Sequence, residues 1–205
     1  AQTSIADAVT VANGLQTASK AVQTVRFEAD KEIGRQVAQL NELLARFEVN
    51  NNKVFSGTQT GKDVSAELDE RESLIKQISS IVGVTQVTRS GNDMALYTSD
   101  GVTLFEAVAR PVEFDTSSGY SAALTGNQIY IDGVPLAAGQ GATTTGRGSL
   151  QSLLQIRDEY APSMQDHLDE IARVLVVSFA ETDQTASALP DLPGLFTWAG
   201  GTIPG

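Results

Sequence analysis

Two glycine-rich stretches of this 205-residue chain have spacings that could cradle a phosphate. In a phosphate-binding loop, backbone amides hold the phosphates, a lysine neutralises them and a hydroxyl reaches the magnesium ion. Gly57-Thr58-Gln59-Thr60-Gly61-Lys62-Asp63 has three residues between its glycines instead of four, and Asp63 stands where the hydroxyl is needed, so a carboxylate would meet the phosphate. Gly141-Ala142-Thr143-Thr144-Thr145-Gly146-Arg147-Gly148 keeps the spacing and precedes a helical pattern. There Arg147 replaces the compact lysine and Gly148 the hydroxyl. Both stretches read as flexible linkers, and no cofactor is expected.

The single histidine, His167, is flanked by Asp166 and Asp169. A proton relay would lack a nucleophile and a metal site would lack a second nitrogen ligand, so a solvated helix face is the better reading. Asp69, Glu70, Arg71 and Glu72 supply carboxylates, but consecutive helical positions point in different directions and cannot converge on one bond. Arg71 is expected instead to hold local structure, through an intrahelical or interhelical salt bridge to a carboxylate or through backbone carbonyls. Phe196 and Trp198 near the end either anchor a partner or cover the helices. No residue is assigned to catalysis, a cofactor or a metal, and no enzyme activity is expected.

The chain carries 25 acidic and 14 basic residues, a formal charge of -11. Such a field repels phosphate backbones and anionic lipid, so neither nucleic acid nor membrane is expected as a partner. There is no cysteine, so packing alone must hold the chain. No apolar run approaches the roughly 20 residues that span a bilayer, and no charged and apolar leader pattern opens the chain.

What must position these residues is mostly helix. Ile5, Ala8, Ala12, Leu15, Ala18, Val22, Val25, Ala29, Ile33, Val37, Leu40, Leu44 and Phe47 step by three or four, the period of one helix face. Residues 5–49 would make a helix of roughly 67 Å, which needs a partner of similar length. Gly14 and Gly34 weaken it by about 1 kcal/mol each relative to alanine. The partner is predicted over 149–186, capped by Ser149, with Leu150, Leu153, Ile156, Tyr160, Met164, Leu168, Ile171, Leu175 and Phe179 on its seam. Pro162 should kink or split it near Tyr160. Between the two, 50–63 reads as a polar loop opening on Asn50-Asn51-Asn52. A shorter helix of about 64–82 follows, capped by Asp63 or Ser65 and ended by Gly83. From Thr85 the period falls to two, predicting strands at 85–88, 94–98, 102–106, 111–114, 128–131 and 134–136, with Asp132-Gly133 as a two-residue hairpin turn. The expected fold is α+β, a long antiparallel helical rod of two long helices and one shorter one with a small, mostly antiparallel β module between them. The divisions are 1–62 rod helix and polar loop, 63–148 short helix and β module, 149–188 returning helix, and 189–205 an irregular, proline-containing tail.

Three places in this order are similar to the flagellar hook-associated protein 1 (FlgK) family. The first is Val37-Ala38-Gln39-Leu40-Asn41-Glu42-Leu43-Leu44, like the family's run before a polar loop. The second is Leu68-Asp69-Glu70-Arg71-Glu72 running on to Val82-Gly83-Val84, like its Leu-Asp-x-Arg-Asp/Glu helix and step into strands. The third is Gly148-Ser149-Leu150-Gln151-Ser152-Leu153-Leu154-Gln155-Ile156-Arg157-Asp158, with Leu168-Asp169-Glu170-Ile171 and Leu195-Phe196 after it. On these matches Leu68, Asp69, Arg71, Gly83, Arg157 and Asp158 are the structural motif residues. Glu72 replaces the commoner aspartate, and Glu181-Thr182-Asp183-Gln184-Thr185 replaces an asparagine-rich loop.

The resemblance implies a structural subunit of the bacterial hook–filament junction, secreted through the flagellar export channel without a cleaved signal and assembled as a ring of identical copies. Its partners would be other copies of itself, the hook protein, the second junction protein or the filament, and an export chaperone. The family's terminal polymerisation helices are expected to lie outside this sequence, leaving a monomer or weak oligomer. Flagellin or the second junction protein share paired long helices but should lack the 68–84 motif. An exported carbohydrate- or peptide-binding module would need an aromatic-lined cleft, against which one Trp, four Tyr and seven Phe argue. An enzyme would need a pocket uniting His167 with the β module.

Overall fold

The computed structural model of the chain describes residues 2–136, 147–181, 191–192 and 194–198. Helix α1 runs unbroken over Gln2–Gln59. The polar loop expected at 50–63 is therefore mostly helix. Asparagine disfavours a helix by less than about 0.7 kcal/mol, and both Asn50 and Asn51 are buried with side-chain hydrogen bonds that outweigh so small a preference. α1 stops at Gly61, which takes φ 67°. There the Lys62 N–H donates to the Gly57 carbonyl at 3.0 Å, the glycine-dependent left-handed terminator of helices.

Helix α2 follows at Ser65–Ile81. Asp63 Oδ1 accepts from the backbone N–H of Ser65 at 3.0 Å and from its hydroxyl at 2.6 Å. Then come β1 (Val84–Thr88), β2 (Met94–Thr98) and β3 (Thr103–Phe105), an antiparallel sheet in that order. β4 (Val112–Glu113), β5 (Tyr130–Ile131) and β6 (Val134–Pro135) make a second one. The hairpin turn lies where the Asp-Gly pair predicts it, with φ 51° at Asp132 and 76° at Gly133. Helix α3 spans Ser149–Gln155, a π-helical turn spans Ile156–Tyr160, and α4 spans Ala161–Ser178. Among the described residues the chain is thus helix-rich α+β with two small antiparallel sheets.

Two compact units form, Arg26–Tyr160 and Ala1–Val25 with Ala161–Gly205. In the first, Ile33, Val37, Leu40, Leu44 and Phe47 of α1 meet Leu74, Ile78 and Ile81 of α2, the sheet residues Leu96, Leu104, Phe105, Val112 and Ile131, and Leu150 and Leu154 of α3. Phe47 and Phe105 meet edge to face at 5.1 Å, a preferred ring geometry. In the second, α4 lies beside the first part of α1. Gln165 Oε1 accepts from the Ser19 hydroxyl at 2.9 Å and from Gln23 Nε2 at 3.1 Å, and Ala8, Val22, Ala161 and Val176 are buried.

Just before Pro162 a π-helical turn interrupts the α-helical ladder without ending the helical run, and this corrects the seam predicted for 149–186. Proline has no N–H and its ring clashes with the carbonyl four residues earlier. The wider π turn just before α4 makes room for the ring. A π turn inserts one residue, which rotates the following face by about 100°. Tyr160, Met164, Ile171 and Phe179 are consequently exposed, while Ala161, Gln165 and Val176 face inward. On α1 the seam also differs: Ile5 and Val25 are exposed, and Arg26 and Asp30 take the buried positions. α4 ends at Ser178; the predicted continuation over 182–186, like Gly141 to Gly146, Pro190, Pro193 and Gly200-Gly201, lies outside the described residues.

Leu44→Asp would bury an unpaired carboxylate and should lower stability by more than about 3 kcal/mol in chemical denaturation. Met164→Asp, at a position 60% exposed, should change it by less than about 0.5 kcal/mol. Equal losses from the two would contradict the rotated face of α4.

Candidate functional site

The residues with catalytic or binding potential are distributed, not convergent. Gly57 lies within α1, where a Cβ would overlap Val64 Cγ1. Its missing side chain admits Val64 and cradles no phosphate. Asp63 is occupied with Ser65, whose hydroxyl and then backbone amide hold its carboxyl below the ordinary carboxylate range. Gly148, with φ 97°, lies where a Cβ would stand 2.5 Å from the Ile81 carbonyl. It lets α3 begin against the end of α2. His167, Asp166 and Asp169 are exposed on α4, and among the described residues no cluster of His, Cys, Asp or Glu is arranged for a metal.

Of the motif residues, Asp69 is exposed and Leu68 half-buried, whereas Arg71 turns inward. Glu72 faces solvent, paired with Lys76 at 2.7 Å. Of the two expected partners, a carboxylate or a backbone carbonyl, Arg71 takes the carbonyl, and among the described residues it makes no salt bridge. Its Nη1 donates to the Asn92 carbonyl at 2.5 Å and to Asn51 Oδ1 at 3.2 Å. Burial pulls the guanidinium below its ordinary pKa, and the charge of Asp93 opposes that. Asn92 sits at φ 60° and Gly91 at φ 70° in the turn between β1 and β2, the left-handed region that Asn and Gly tolerate best. Asn51 completes the node: its Oδ1 also accepts from the Met94 N–H at 3.1 Å, and its Nδ2 donates to Asp93 Oδ1 at 2.7 Å. One arginine and one asparagine thus tie α1, α2 and the β1–β2 turn together. Gly83, the next motif residue, donates its N–H to the Arg147 carbonyl at 2.7 Å.

A second node surrounds Arg157, which is 1% exposed. Its Nη1 meets Asp30 Oδ1 at 2.8 Å, its Nη2 donates to the Asn127 carbonyl at 2.7 Å, and Asp158 takes Nε and Nη2 at 2.8 Å each. Burial acts to lower its pKa, yet the Asp158 carboxylate and the other partners leave it raised. Asp30, fully buried, also accepts from the Tyr120 hydroxyl and the Ser117 N–H, each at 2.7 Å. Burial, and then the bond to Asp30, push the Tyr120 phenol above its usual pKa. Arg26 donates to the Arg157, Ser121 and Leu124 carbonyls at 3.0, 3.0 and 2.6 Å and lies 4.6 Å from the Tyr120 ring centre.

Two further side chains of α1 act in the same way. Asn41 pairs with both main-chain groups of Val112, at 2.8 and 3.0 Å, as a neighbouring strand would. Glu48 accepts from the Ala109 N–H at 2.7 Å. Sequence reasoning singled out Arg71, Arg157 and Asp158 and passed over Arg26, Asp30, Asn41, Glu48 and Asn51. The available signal was polar residues interrupting or flanking an apolar helical face at intervals close to whole turns.

In the tail, Phe196 stacks edge to face on Phe179 at 5.3 Å, and Trp198 is half exposed. The second unit also leaves Ile5, Val9, Met164, Ile171, Val174 and Val177 open to solvent.

A family model described as the flagellar hook-associated protein FlgK helical domain matches residues 1–194. No curated protein matches the chain. Among solved structures, the flagellar hook junction protein FlgK from Burkholderia pseudomallei is similar in fold, with a TM-score of 0.67 at 20% identity, covering 87% of this chain and 32% of that one. The chain therefore spans about a third of the length of that protein.

Asn51→Ala would leave the Met94 amide and part of Arg71 without partners and should cost about 2–4 kcal/mol, as should Arg71→Ala. Asp69→Ala should be neutral within about 0.5 kcal/mol. Because Asn51 and Arg71 share one node, the double variant should lose less than the two single losses added together. Additive losses in urea titrations would show that they act separately.

Proposed function

Because this chain belongs to the flagellar hook-associated protein FlgK family, we propose that it builds the junction between hook and filament as one of a ring of identical subunits. The role in the flagellum is structural and hook-associated. The match across residues 1–194 carries this reading, and the resemblance in fold to a flagellar hook junction protein supports it. In the finer proposal, each copy contacts its neighbours in the ring, the hook protein on one side, and the second junction protein or filament on the other. The protein is secreted to the junction through the flagellar export route, with an export chaperone as a transient partner. The motif residues Leu68, Asp69, Arg71, Gly83, Arg157 and Asp158 act in shape and not in turnover.

The physical properties of the chain agree with such a part. Its buried guanidinium groups engage main-chain carbonyls and an internal carboxylate, a use that fixes geometry and leaves them no role as binding groups. The exposed apolar residues on the first part of α1 and on α4 are of the kind that subunit contacts cover. The charge of -11 disfavours nucleic acid and anionic membrane, and among the described residues no helix is long and apolar enough to cross a membrane.

Immunogold labelling of intact flagella with antibody raised against residues 26–160 should mark a single narrow band where hook meets filament. Label along the whole filament would favour a flagellin, and absence of label from flagella would overturn the proposal.

A further inference from the structure

Residues 115–128 join β4 to β5 without regular secondary structure, and none of them is buried. Their flanks are fixed. Phe114 packs on the core, Ile129 is buried in it, and Glu113 pairs with Tyr130 in the sheet. A loop with its two ends held together in this way can leave the surface without unravelling either strand. The loop is fastened almost entirely by the three buried charges described above. Asp30 holds the Ser117 amide and the Tyr120 hydroxyl, Arg26 holds the Ser121 and Leu124 carbonyls, and Arg157 holds the Asn127 carbonyl. Across the neck, Asn127 Nδ2 donates to the Asp115 carbonyl at 2.9 Å.

We infer that 115–128 is a latch over α1 that opens as a unit while the sheets and α2 remain folded. Segments with few buried apolar contacts and solvent-facing backbone open at lower free energy than a core. Here the apolar core ends at Phe114 and resumes at Ile129, so opening breaks polar bonds and exposes little apolar surface. It releases only the bonds that Arg26, Asp30 and Arg157 make to the loop. The bonds of Arg157 to Asp30 and Asp158 and of Arg26 to the Arg157 carbonyl keep the three in place to recapture the same carbonyls, amide and hydroxyl when the loop returns. At Gly34 the latch lies close against the helix: a Cβ there would stand 2.7 Å from Thr116 Cγ2. A glycine in a helix interior, unfavourable by itself, is thus what lets the latch close.

Amide hydrogen exchange followed by NMR tests this on the whole chain. Three amides are each held by a single side-chain acceptor: Ser117 by Asp30 in the latch, Val112 by Asn41 and Met94 by Asn51 in the core. Ser117 should exchange about a hundredfold faster than the other two. Tyr120→Phe removes one bond to Asp30 and should speed Ser117 on the order of tenfold, leaving Val112 and Met94 unchanged. Gly34→Ala should also speed Ser117, while the melting temperature stays level or rises because alanine favours the helix. Ile78→Val, which thins the core, should speed Val112 and Met94 and leave Ser117 alone. Three amides exchanging at one rate and moving together in all three variants would overturn the inference, as would a Ser117 rate indifferent to both Tyr120→Phe and Gly34→Ala.

Discussion

A main-chain amide that leaves a sheet still needs an acceptor, and burying it without one costs about 1–3 kcal/mol. In the 26–160 unit α1 supplies those acceptors. Asp30, Asn41, Glu48 and Asn51 receive the N–H groups of Ser117, Val112, Ala109 and Met94. As the helix advances, the segment it holds runs backward, so the chain from Met94 of β2 through Val112 of β4 to Ser117 is laid antiparallel along α1. The spacings of eleven, seven and three residues are each close to whole helical turns, which keeps all four acceptors beside the apolar row of Ile33, Val37, Leu40, Leu44 and Phe47. Hydrophobic burial drives the sheets onto the helix, and the polar row fixes where they stop.

Such an arrangement explains why short sheets persist. β4, β5 and β6 have two residues each, too few to be stable as isolated hairpins. Asn41 extends the β4 edge by one further pair of bonds, and Val112 and Ile131 reach the common core. The buried charges follow the same logic. An isolated buried ion pair gains little over apolar packing, but Arg157 and Asp30 satisfy a carbonyl, an amide and a phenol besides each other. Removing either would leave several groups unpaired at once.

Much of this was legible in the sequence where local chemistry decides the outcome. Alternation located every strand, and Asp132-Gly133 located the hairpin, because residue type alone sets those conformations. Pro162 announced the break before α4. Tertiary structure overrode local preference elsewhere. Asn50-Asn51-Asn52 has the composition of a loop, yet long-range bonds to Glu70, Arg71 and Asp93 keep it helical. The seam on α4 was misplaced because the form of the Pro162 break, a π turn that shifts the phase, is not written in any single residue. Arg26 and Asp30 were passed over in favour of Val25, since periodicity counts apolar residues and a buried charge is invisible until its partner, 131 positions along in the case of the Arg26 bond, comes into view. Arg157 was visible only through the family resemblance, whereas Arg71 also stood out in the charged run 69–72.

What α1 grips, at Ser117, Val112, Ala109 and Met94, is peptide backbone. Every amino acid except proline offers the same N–H, so the attachment is indifferent to which side chain occupies the gripped position. Two sequences can then diverge through the β segments, keep the few gripping residues on the helix, and still arrive at one architecture. A fold held this way has wide latitude to drift, and 20% identity alongside a TM-score of 0.67 with the Burkholderia pseudomallei protein is the kind of separation such latitude permits.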